Sequence, residues 1–388
     1  MPTSGYLFYD CQTDDVRLVL TVLGEAERFG AVCANGLGVE ELIEERGRAA
    51  GVRARDGASG ETIVVHADHV VNATGVWADR LRPDELHDEA ELPQIRPSRG
   101  THIIFDNADL QLRAGAIVPA GGGRTIFALP WLGHTLVGTT DNDYDGDLGH
   151  VLPADEDIDY LLHAVNEFFG TALGREQIAG AFAGVRPLIS STDSKSSVDI
   201  SRKAELYETS SGMITITGGK LTTWRRMAKM TVDRIVESDA RDAPCRTHEI
   251  PLGQAIDPDE LERVAGVAED AYPSLASRYG HQAVDVLRLA AQRPSLAEPI
   301  VAGLPDLLAE AVHAARREQA RGIGDVMLRR TRLGLLAARR VVASGTLERV
   351  ADALGHELGW DGARRAAEIS RFQEEAAAEG IVVDLVVA

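Results

Sequence analysis

Two periods of apolar residues along the chain predict its secondary structure. Apolar residues between positions 16 and 23 recur at helical spacing, so we expect a helix that ends near Arg28 and has Thr13 or Asp14 at its N-cap. Short stretches of alternating apolar and polar residues follow, and they predict strands at 31–35, 39–45, 51–55, 62–66 and 69–73.

A second group of strands begins near residue 92. Short apolar segments joined by Gly and Asp turns indicate a mostly antiparallel sheet, with strands at 103–105, 116–119, 125–130, 135–139 and 183–188. A helix over 155–169 is expected, because Pro153 and several acidic residues open it. Beyond residue 249 the pattern is helical: Asp257 and Pro258 begin a capping box, and helices are predicted over 281–291, 306–321, 325–341, 346–358 and 361–379.

The stretch from 212 to 227 combines a strand, a Gly-Gly turn and a helix start. Strand-like alternation leads into Gly218 and Gly219, and Lys220 and a Thr-Thr pair follow directly. Such a turn presents backbone N–H groups and the positive end of a helix dipole to a ligand, and glycine lets the ligand approach the main chain. The stretch therefore indicates an anion or cofactor site, with an ordinary strand-to-helix turn as the alternative. Ala73, Thr74 and Gly75 end a strand in a similar way, although this signal is weak by itself.

An arginine-rich amphipathic segment occupies residues 325–336. Its pattern favours a packed helix with a solvated cationic face. A docking surface for a partner subunit or an anionic lipid is the alternative.

Composition limits the classes of function that need to be considered. The 388-residue chain is long enough for two or three domains, and its formal net charge of −20 argues against broad nucleic-acid binding. Its three cysteines are scattered, with no CxxC, which argues for a reducing compartment and against a disulfide framework or a zinc site. We expect no signal peptide and no membrane span, although contact with a membrane surface stays open. No GxGxxG follows a predicted strand.

Several short motifs, taken together and in order, resemble those of the FAD-dependent glycerol-3-phosphate dehydrogenases of the respiratory, aerobic type. These are members of the D-amino-acid-oxidase-like flavoproteins. The matching stretches are YDCQTDDVRLVL at 9–20, VNATGVWAD at 71–79, RPSRGTH at 96–102, FALPW at 127–131, GTTD at 138–141, GVRPL at 184–188, SR at 201–202, GGKLTT at 218–223, RRTRLG at 329–334 and LGW at 358–360. None of these motifs is specific alone, but together they cover nearly the whole chain.

The resemblance implies an α/β fold with an added helical part. Residues 1–85 and 208–242 would belong to an incomplete FAD-binding domain, 86–207 to an antiparallel-sheet substrate (cap) domain, and 243–388 to a C-terminal helical domain. Family members begin with a βαβ unit that carries GxGxxG, and this chain has none. We therefore expect a truncated gene product, a mis-called start or one half of a split protein.

The resemblance also implies a reaction. Glycerol 3-phosphate would lose a hydride from C2 to the flavin of FAD and a proton from its C2 hydroxyl, giving dihydroxyacetone phosphate, with electrons passed on to a quinone. The implied setting is cytoplasmic, and a homodimer and peripheral contact with the cytoplasmic face of the membrane both remain open.

Residue types in the matching motifs suit this chemistry. His102 would be the base or would orient it, and Arg186 would bind substrate and stabilise the developing alkoxide. Arg202 and Lys220 would bind phosphate or the flavin edge. The cofactor would contact two turns: Ala73, Thr74 and Gly75 on one side, and Gly218, Gly219, Lys220, Leu221 and Thr222 on the other. For a single histidine the bland alternative is a structural role, and for each arginine it is a solvated surface charge.

Two other functions stay open at this point. The first is a related glycerol-3-phosphate oxidase that passes electrons to oxygen. The second is a catalytically inactive fragment or assembly module that carries the helical domain. The absence of a GxGxxG loop favours the second alternative for the isolated chain.

Overall fold

The computed structural model describes residues 6–81, 94–190, 203–343 and 345–382. The helices and strands of the N-terminal two-thirds are α1 Asp15–Arg28, β1 Leu37–Glu45, β2 Arg48–Asp56, β3 Thr62–His66, β4 Val71–Asn72, β5 Gln94–Asp106, β6 Ala116–Pro119, β7 Thr125–Trp131, β8 His134–Gly138, β9 Asn142–Asp143, α2 Asp155–Phe169, β10 Ile178–Ser190, β11 Ala204–Glu208, β12 Ile214–Gly218 and α3 Trp224–Ser238. The C-terminal third contains α4 Ala271–Tyr279, α5 Ala283–Gln292, α6 Leu308–Arg317, a π-helix Asp325–Arg330, α7 Leu333–Leu336, α8 Ala338–Ala343, α9 Thr346–Leu358 and α10 Gly362–Ala378.

The N-terminal helix and the hairpin strands lie where the sequence pattern predicts them. The carboxylate of Asp14 caps α1 by accepting a hydrogen bond from the backbone N–H of Arg17 at 3.1 Å. Strands β1, β2 and β3 form a three-stranded antiparallel sheet. The strand predicted over 31–35 is wrong, because the Gln319 side chain takes the hydrogen bonds that a neighbouring strand would need. Gln319 donates to the carbonyl of Cys33 and accepts from the N–H of Asn35.

A larger antiparallel sheet has the strand order β10-β5-β8-β7-β6, and β9 pairs with the beginning of β5. Alternate residues of β5 face two different cores. Ile103 and Phe105 pack with α2 residues such as Leu161, whereas Ile104 packs with the C-terminal helices. The backbone of the helical part touches this second face directly, since a Cβ on Gly180 would overlap the carbonyl oxygen of Leu335.

The third sheet has the order β11-β12-β4. Strand β12 pairs antiparallel with β11 and parallel with β4, so the chain leaves β12 and β4 in the same direction. The predicted domain boundary at 207/208 falls inside β11, which pairs with β12 along its whole length. Among the described strands β4 lies at the edge of this sheet, and Val71 is exposed there.

The C-terminal helices differ from expectation in three places. Helix α4 was not predicted, and Asp257 caps only a single 3₁₀ turn, Pro258–Glu260. The segment 325–341 is not one helix, because Arg332 has a left-handed backbone conformation with φ of 64° that separates the π-helix from α7.

The solvated cationic face predicted for 325–336 is also wrong, since Arg330 and Arg332 are buried. Arg332 pairs with Asp14 at 3.0 Å and with Asp15, and Arg330 donates to the carbonyl of Glu318. Arg332 therefore connects α1 to the helical domain, whereas Arg330 makes its contacts within that domain.

The cysteines, possible metal ligands and helix lengths can be stated for the described residues. Their three cysteines are all unpaired, and no group of described His, Cys, Asp and Glu side chains has the arrangement of a metal site. Within the described ranges, no helix has both the length and the apolar character that a membrane crossing requires.

Candidate active site

The Gly-Gly turn lies where β12 ends. Gly218 and Gly219 have φ values of 70° and 74°, a conformation that glycine adopts without strain. The segment Leu221–Thr223 is a 3₁₀ turn that leads directly into α3, and the Thr223 hydroxyl donates to the carbonyl of Lys220 at 2.9 Å. Lys220, Leu221 and Thr222 are exposed. The main chain at the start of this long helical segment therefore faces outward with a lysine beside it.

The structure gives the two glycines a different reason from the one the sequence suggested. A Cβ on Gly218 would overlap Ile189 and lie 2.7 Å from the carbonyl oxygen of Lys203. A Cβ on Gly219 would lie 2.5 Å from the Met227 sulfur. The missing side chains make room for the protein itself, and a ligand contact at these glycines stays a prediction.

A second exposed turn follows β4. The buried Asn72 side chain organises it: its Nδ2 donates to the carbonyl of Ala78 at 3.0 Å, and its Oδ1 accepts from the Thr74 hydroxyl at 2.7 Å. Ala73 and Thr74 are exposed, and Gly75 has a φ of 62°. Because β4 and β12 are parallel neighbours, both turns leave the same edge of their sheet.

His102 and Arg186 lie on one face of the larger sheet. His102 of β5 is opposite Phe182 of β10, and Arg186 of β10 is opposite Ser98 of β5. Between these two pairs only Gly100 and Gly184 stand on this face. The guanidinium of Arg186 occupies the space beside Gly100, where a Cβ would overlap it. The long side chain of Arg186 thus extends toward His102 across a glycine gap.

The imidazole of His102 is tightly enclosed. It stacks on Phe182 with ring centroids 4.9 Å apart, and on another side it fills the space that a Cβ on Gly138 would need. Its Nδ1 is buried and has no hydrogen-bond partner among the described residues. Burial, with a smaller contribution from the positive charge of Arg186, lowers the pKa of His102 to about 4. The ring is therefore unprotonated at pH 7.

A short turn between β8 and β9 holds the guanidinium of Arg186. Arg186 donates to the Thr139 hydroxyl at 2.9 Å and to the carbonyl of Thr140 at 3.2 Å, and the Asp141 carboxylate lies 3.7 Å away. The residue types of this turn do not by themselves indicate a role in the site. Its signal in the sequence is the GTTD motif at 138–141, one of the stretches that carry the family resemblance.

The two sheets meet near these residues. Ile189, three residues after Arg186 on β10, is the side chain that a Cβ on Gly218 would overlap. The backbone N–H of Ile95 on β5 donates to Asp79, which follows the Ala73–Gly75 turn, at 2.9 Å. At about 3.3 Å per strand residue, Arg186 is roughly 10 Å along β10 from this junction. The site residue predicted at Arg202 lies outside the described residues.

Two family models match different parts of this chain. Residues 2–234 match a family model described as FAD dependent oxidoreductase, which is more than half of the chain. The chain belongs to the FAD-dependent oxidoreductase family. Residues 245–365 match a second model, the C-terminal domain of alpha-glycerophosphate oxidase. The chain therefore consists of an oxidoreductase part over residues 2–234 and a helical domain that matches the second model over residues 245–365.

Individual relatives of this family are glycerol-3-phosphate dehydrogenases. Glycerol-3-phosphate dehydrogenase 2 of Mycobacterium tuberculosis is 34% identical over 384 residues, which is 97% of this chain and 64% of the relative. The aerobic glycerol-3-phosphate dehydrogenase of Bacillus subtilis is 34% identical over 347 residues, 84% of this chain and 61% of the relative. The chain thus spans less than two-thirds of the length of these relatives.

A solved structure extends the comparison to the fold. The glycerol-3-phosphate dehydrogenase of Bacillus halodurans, complexed with FAD, superposes with a TM-score of 0.83 at 31% identity. The match covers 97% of this chain and 75% of that one. The predicted fold class, an FAD-binding oxidoreductase fold with an antiparallel sheet and a C-terminal helical domain, is confirmed.

Proposed function

We propose that this chain serves the FAD-dependent oxidation of sn-glycerol 3-phosphate to dihydroxyacetone phosphate. One observation carries the proposal: a buried histidine and an arginine share a sheet face that reaches the junction with two exposed turns. His102 and Arg186 are the pair, and the turns are Ala73–Gly75 and Gly218–Thr222. The names of the relatives support the same reaction.

The two turns fit a flavin cofactor. The first backbone N–H groups of a helix have no partner within that helix, and the segment that begins at Leu221 continues through α3. Such groups, with Lys220 beside them, favour a ligand that carries or develops negative charge. The residues that would contact FAD are Ala73, Thr74, Gly75, Gly218, Gly219, Lys220, Leu221 and Thr222. When bound, FAD supplies the acceptor for the hydride from C2 of the substrate.

The protein's own residues would do the rest of the chemistry. A neutral His102 imidazole would accept the proton of the C2 hydroxyl, and the Arg186 guanidinium would stabilise negative charge that develops on that oxygen. Arg202 and Lys220 are the cations proposed to bind the phosphate. Arginine suits this role because its planar fork donates two parallel hydrogen bonds to a phosphate.

The electron acceptor separates two versions of the proposal. We propose a quinone, in line with a peripheral site on the cytoplasmic face of a membrane. Oxygen is the second candidate, because the helical domain matches a model named after an alpha-glycerophosphate oxidase. Hydrogen peroxide release during turnover would favour oxygen, whereas reduction of a soluble quinone analogue without peroxide would favour the first version.

An anaerobic spectrum tests the proposal. The 388-residue chain is purified, its visible absorption is recorded with added FAD, and sn-glycerol 3-phosphate is then introduced without oxygen. We expect a bound yellow flavin that bleaches with glycerol 3-phosphate and not with glycerol. A second preparation contains the part of the M. tuberculosis relative that this chain does not match, co-expressed as a separate polypeptide.

Each result has a defined meaning. Bleaching of the chain alone supports autonomous catalysis, and bleaching only in the second preparation supports one half of a split enzyme. A protein that stays colourless in both preparations would favour a non-catalytic assembly module and overturn the proposal.

A further inference from the structure

Asp157 is a buried carboxylate on the opposite side of the sheet from Arg186. It lies in the first turn of α2 and is 4% exposed. One oxygen accepts from the Nδ2 of Asn142 at 2.6 Å. The other oxygen accepts from the Thr101 hydroxyl at 2.6 Å and lies 3.2 Å from the Nε of Arg99.

Burying a carboxylate at this position of α2 costs free energy. The inward residues that follow it on α2, such as Ile158 and Leu161, pack in an apolar core against β5. A buried charge costs several kcal/mol unless it is paired and hydrogen-bonded. An apolar side chain would fit the helix pattern better, so the carboxylate calls for a reason beyond packing.

The partners of Asp157 supply that reason. Arg99 and Thr101 belong to β5, whereas Asn142 belongs to β9, a strand of only two residues. Asp157 therefore fastens β9 to β5. The backbone immediately before β9 is the Thr139–Asp141 turn that holds the guanidinium of Arg186.

Two more hydrogen bonds fix the same turn to β5. The backbone N–H of Thr101 donates to the Thr140 hydroxyl at 3.0 Å, and the Ser98 hydroxyl donates to Asp141. Thr101 thus binds Asp157 through its side chain and the turn through its backbone. The contacts form a continuous path from α2 through the sheet to Arg186.

We propose that Asp157 is a positioning residue for Arg186: it holds the Thr139–Asp141 turn in the geometry that directs the guanidinium toward the substrate. The role in substrate binding rests on the proposed function, whereas the role in fixing the turn does not. Asp157 itself lies on the far side of β5 and touches no substrate.

A double-mutant cycle tests the role in binding. Asp157→Asn keeps the size of the side chain but removes the charge and one acceptor, and we expect it to weaken the binding of sn-glycerol 3-phosphate about tenfold by calorimetry. Arg186→Lys should weaken binding at least as much. If Asp157 acts through Arg186, the double variant should bind no more weakly than Arg186→Lys alone, while two independent effects would multiply.

Glu156→Gln is the matched control, because it makes the same change of charge on the neighbouring exposed residue of α2. It should bind substrate like the unmodified chain. Where activity is measurable, Asp157→Asn should raise KM far more than it lowers the flavin content. The proposal would be overturned if Glu156→Gln weakened substrate binding as much as Asp157→Asn does. It would also be overturned if the effects of Asp157→Asn and Arg186→Lys multiplied in the double variant.

A second readout does not depend on substrate. Phenylglyoxal modifies accessible guanidinium groups, and mass spectrometry reports its rate at Arg186, while amide hydrogen exchange reports on residues 139–143. We expect Asp157→Asn to raise both rates severalfold and Glu156→Gln to leave them unchanged. If the unmodified chain binds no glycerol 3-phosphate, the proposed function fails, yet these rates still decide whether Asp157 positions Arg186.

A further variant covers the case in which Asp157→Asn does not fold. Asn142→Ala removes the contact to β9 and keeps the carboxylate with its other two partners. It should raise the same two rates. Unchanged rates in a folded Asn142→Ala or Asp157→Asn protein would show that the turn does not need this support.

Discussion

The imidazole of His102 is neutral because the protein surrounds it with apolar and cationic groups. Phe182 covers one face, Gly138 leaves space for the ring, and Arg186 contributes a positive charge from the same side of the sheet. A base that works near pH 7 must be unprotonated at that pH.

This environment predicts how stability depends on pH. The folded-state pKa of His102, about 4, is below the value of about 6.5 in the unfolded chain. The unfolded state therefore binds more protons between these values, so this contribution to stability is complete above pH 6.5 and is lost as pH falls toward 4. His102→Gln should flatten the pH dependence of the unfolding free energy in this window, as measured by urea titration. An equally steep dependence in the variant would contradict the assignment.

Gly100 gives a second prediction at the residue scale. A Cβ there would displace the guanidinium of Arg186, the far end of a flexible side chain, and would lie 2.6 Å from the Thr139 hydroxyl. We expect Gly100→Ala to weaken glycerol 3-phosphate binding about tenfold. Its free energy of unfolding should fall by about 1–3 kcal/mol. Gly362→Ala is the control in α10 of the helical domain, because a Cβ there meets nothing within 4 Å. Equal binding by both variants would argue against Arg186 as a substrate contact.

At the scale of elements, α1 is held in place mainly by charge. None of its residues is buried, although its sequence is amphipathic. Arg17 pairs with Glu318, and Arg332 pairs with Asp14 and Asp15 across the boundary to the helical domain. The sequence placed α1 correctly by periodicity and capping. It gave the wrong environment for the arginines because periodicity shows which residues share a face and not which distant carboxylates meet them.

Removing Arg332 should therefore be costly. Its partner Asp14 is largely buried, and a buried charge that loses its partner destabilises a protein by about 3–5 kcal/mol. We expect Arg332→Met to lower the free energy of unfolding by about 3–5 kcal/mol. Thermal and urea unfolding measure the change.

Arg329 provides the comparison within the same segment. Its partner is Glu375 at 2.8 Å, and 41% of the Arg329 side chain is exposed. An exposed ion pair contributes about 0–1 kcal/mol, so Arg329→Met should have a small effect. Similar losses from both substitutions would indicate that burial does not distinguish the two arginines.

At the scale of the whole molecule, local sequence patterns predict the positions of most helices and strands. They do not predict which distant residues come into contact. Helix α2 has the bounds that Pro153 and its acidic first turn indicated, and the hairpins of β1 to β3 follow their Gly and Asp turns. Local patterns do not indicate that the Thr139–Asp141 turn and Asp157 belong near the site. Their importance depends on contacts between residues up to 56 positions apart, such as Thr101 with Asp157, which no spacing rule encodes.

Another property of the whole molecule is the apolar surface of its N-terminal part. Tyr6, Leu7, Val32 and Val71 are among the exposed large apolar side chains there, and α1 exposes Val19. Exposed apolar surface favours association. We expect the purified chain to self-associate at micromolar concentration, and Val19→Lys to reduce this with a stability change within about 0.5 kcal/mol. Sedimentation velocity measures the effect, and an unchanged distribution of species would exclude this face of α1.

The two-sided alternation of β5 has a consequence for insertions and deletions. Ser98, Gly100 and His102 belong to one row of the strand, and Thr101 and Ile103 belong to the other. Deleting a single codon within this strand would exchange the rows, placing an aliphatic side chain where the imidazole stacks and a histidine inside the core against α2. Substitutions here lose one contact each, whereas an indel removes the reactive surface and the packing surface together. A mutational scan that includes deletions should therefore find this strand among the least tolerant segments of the chain.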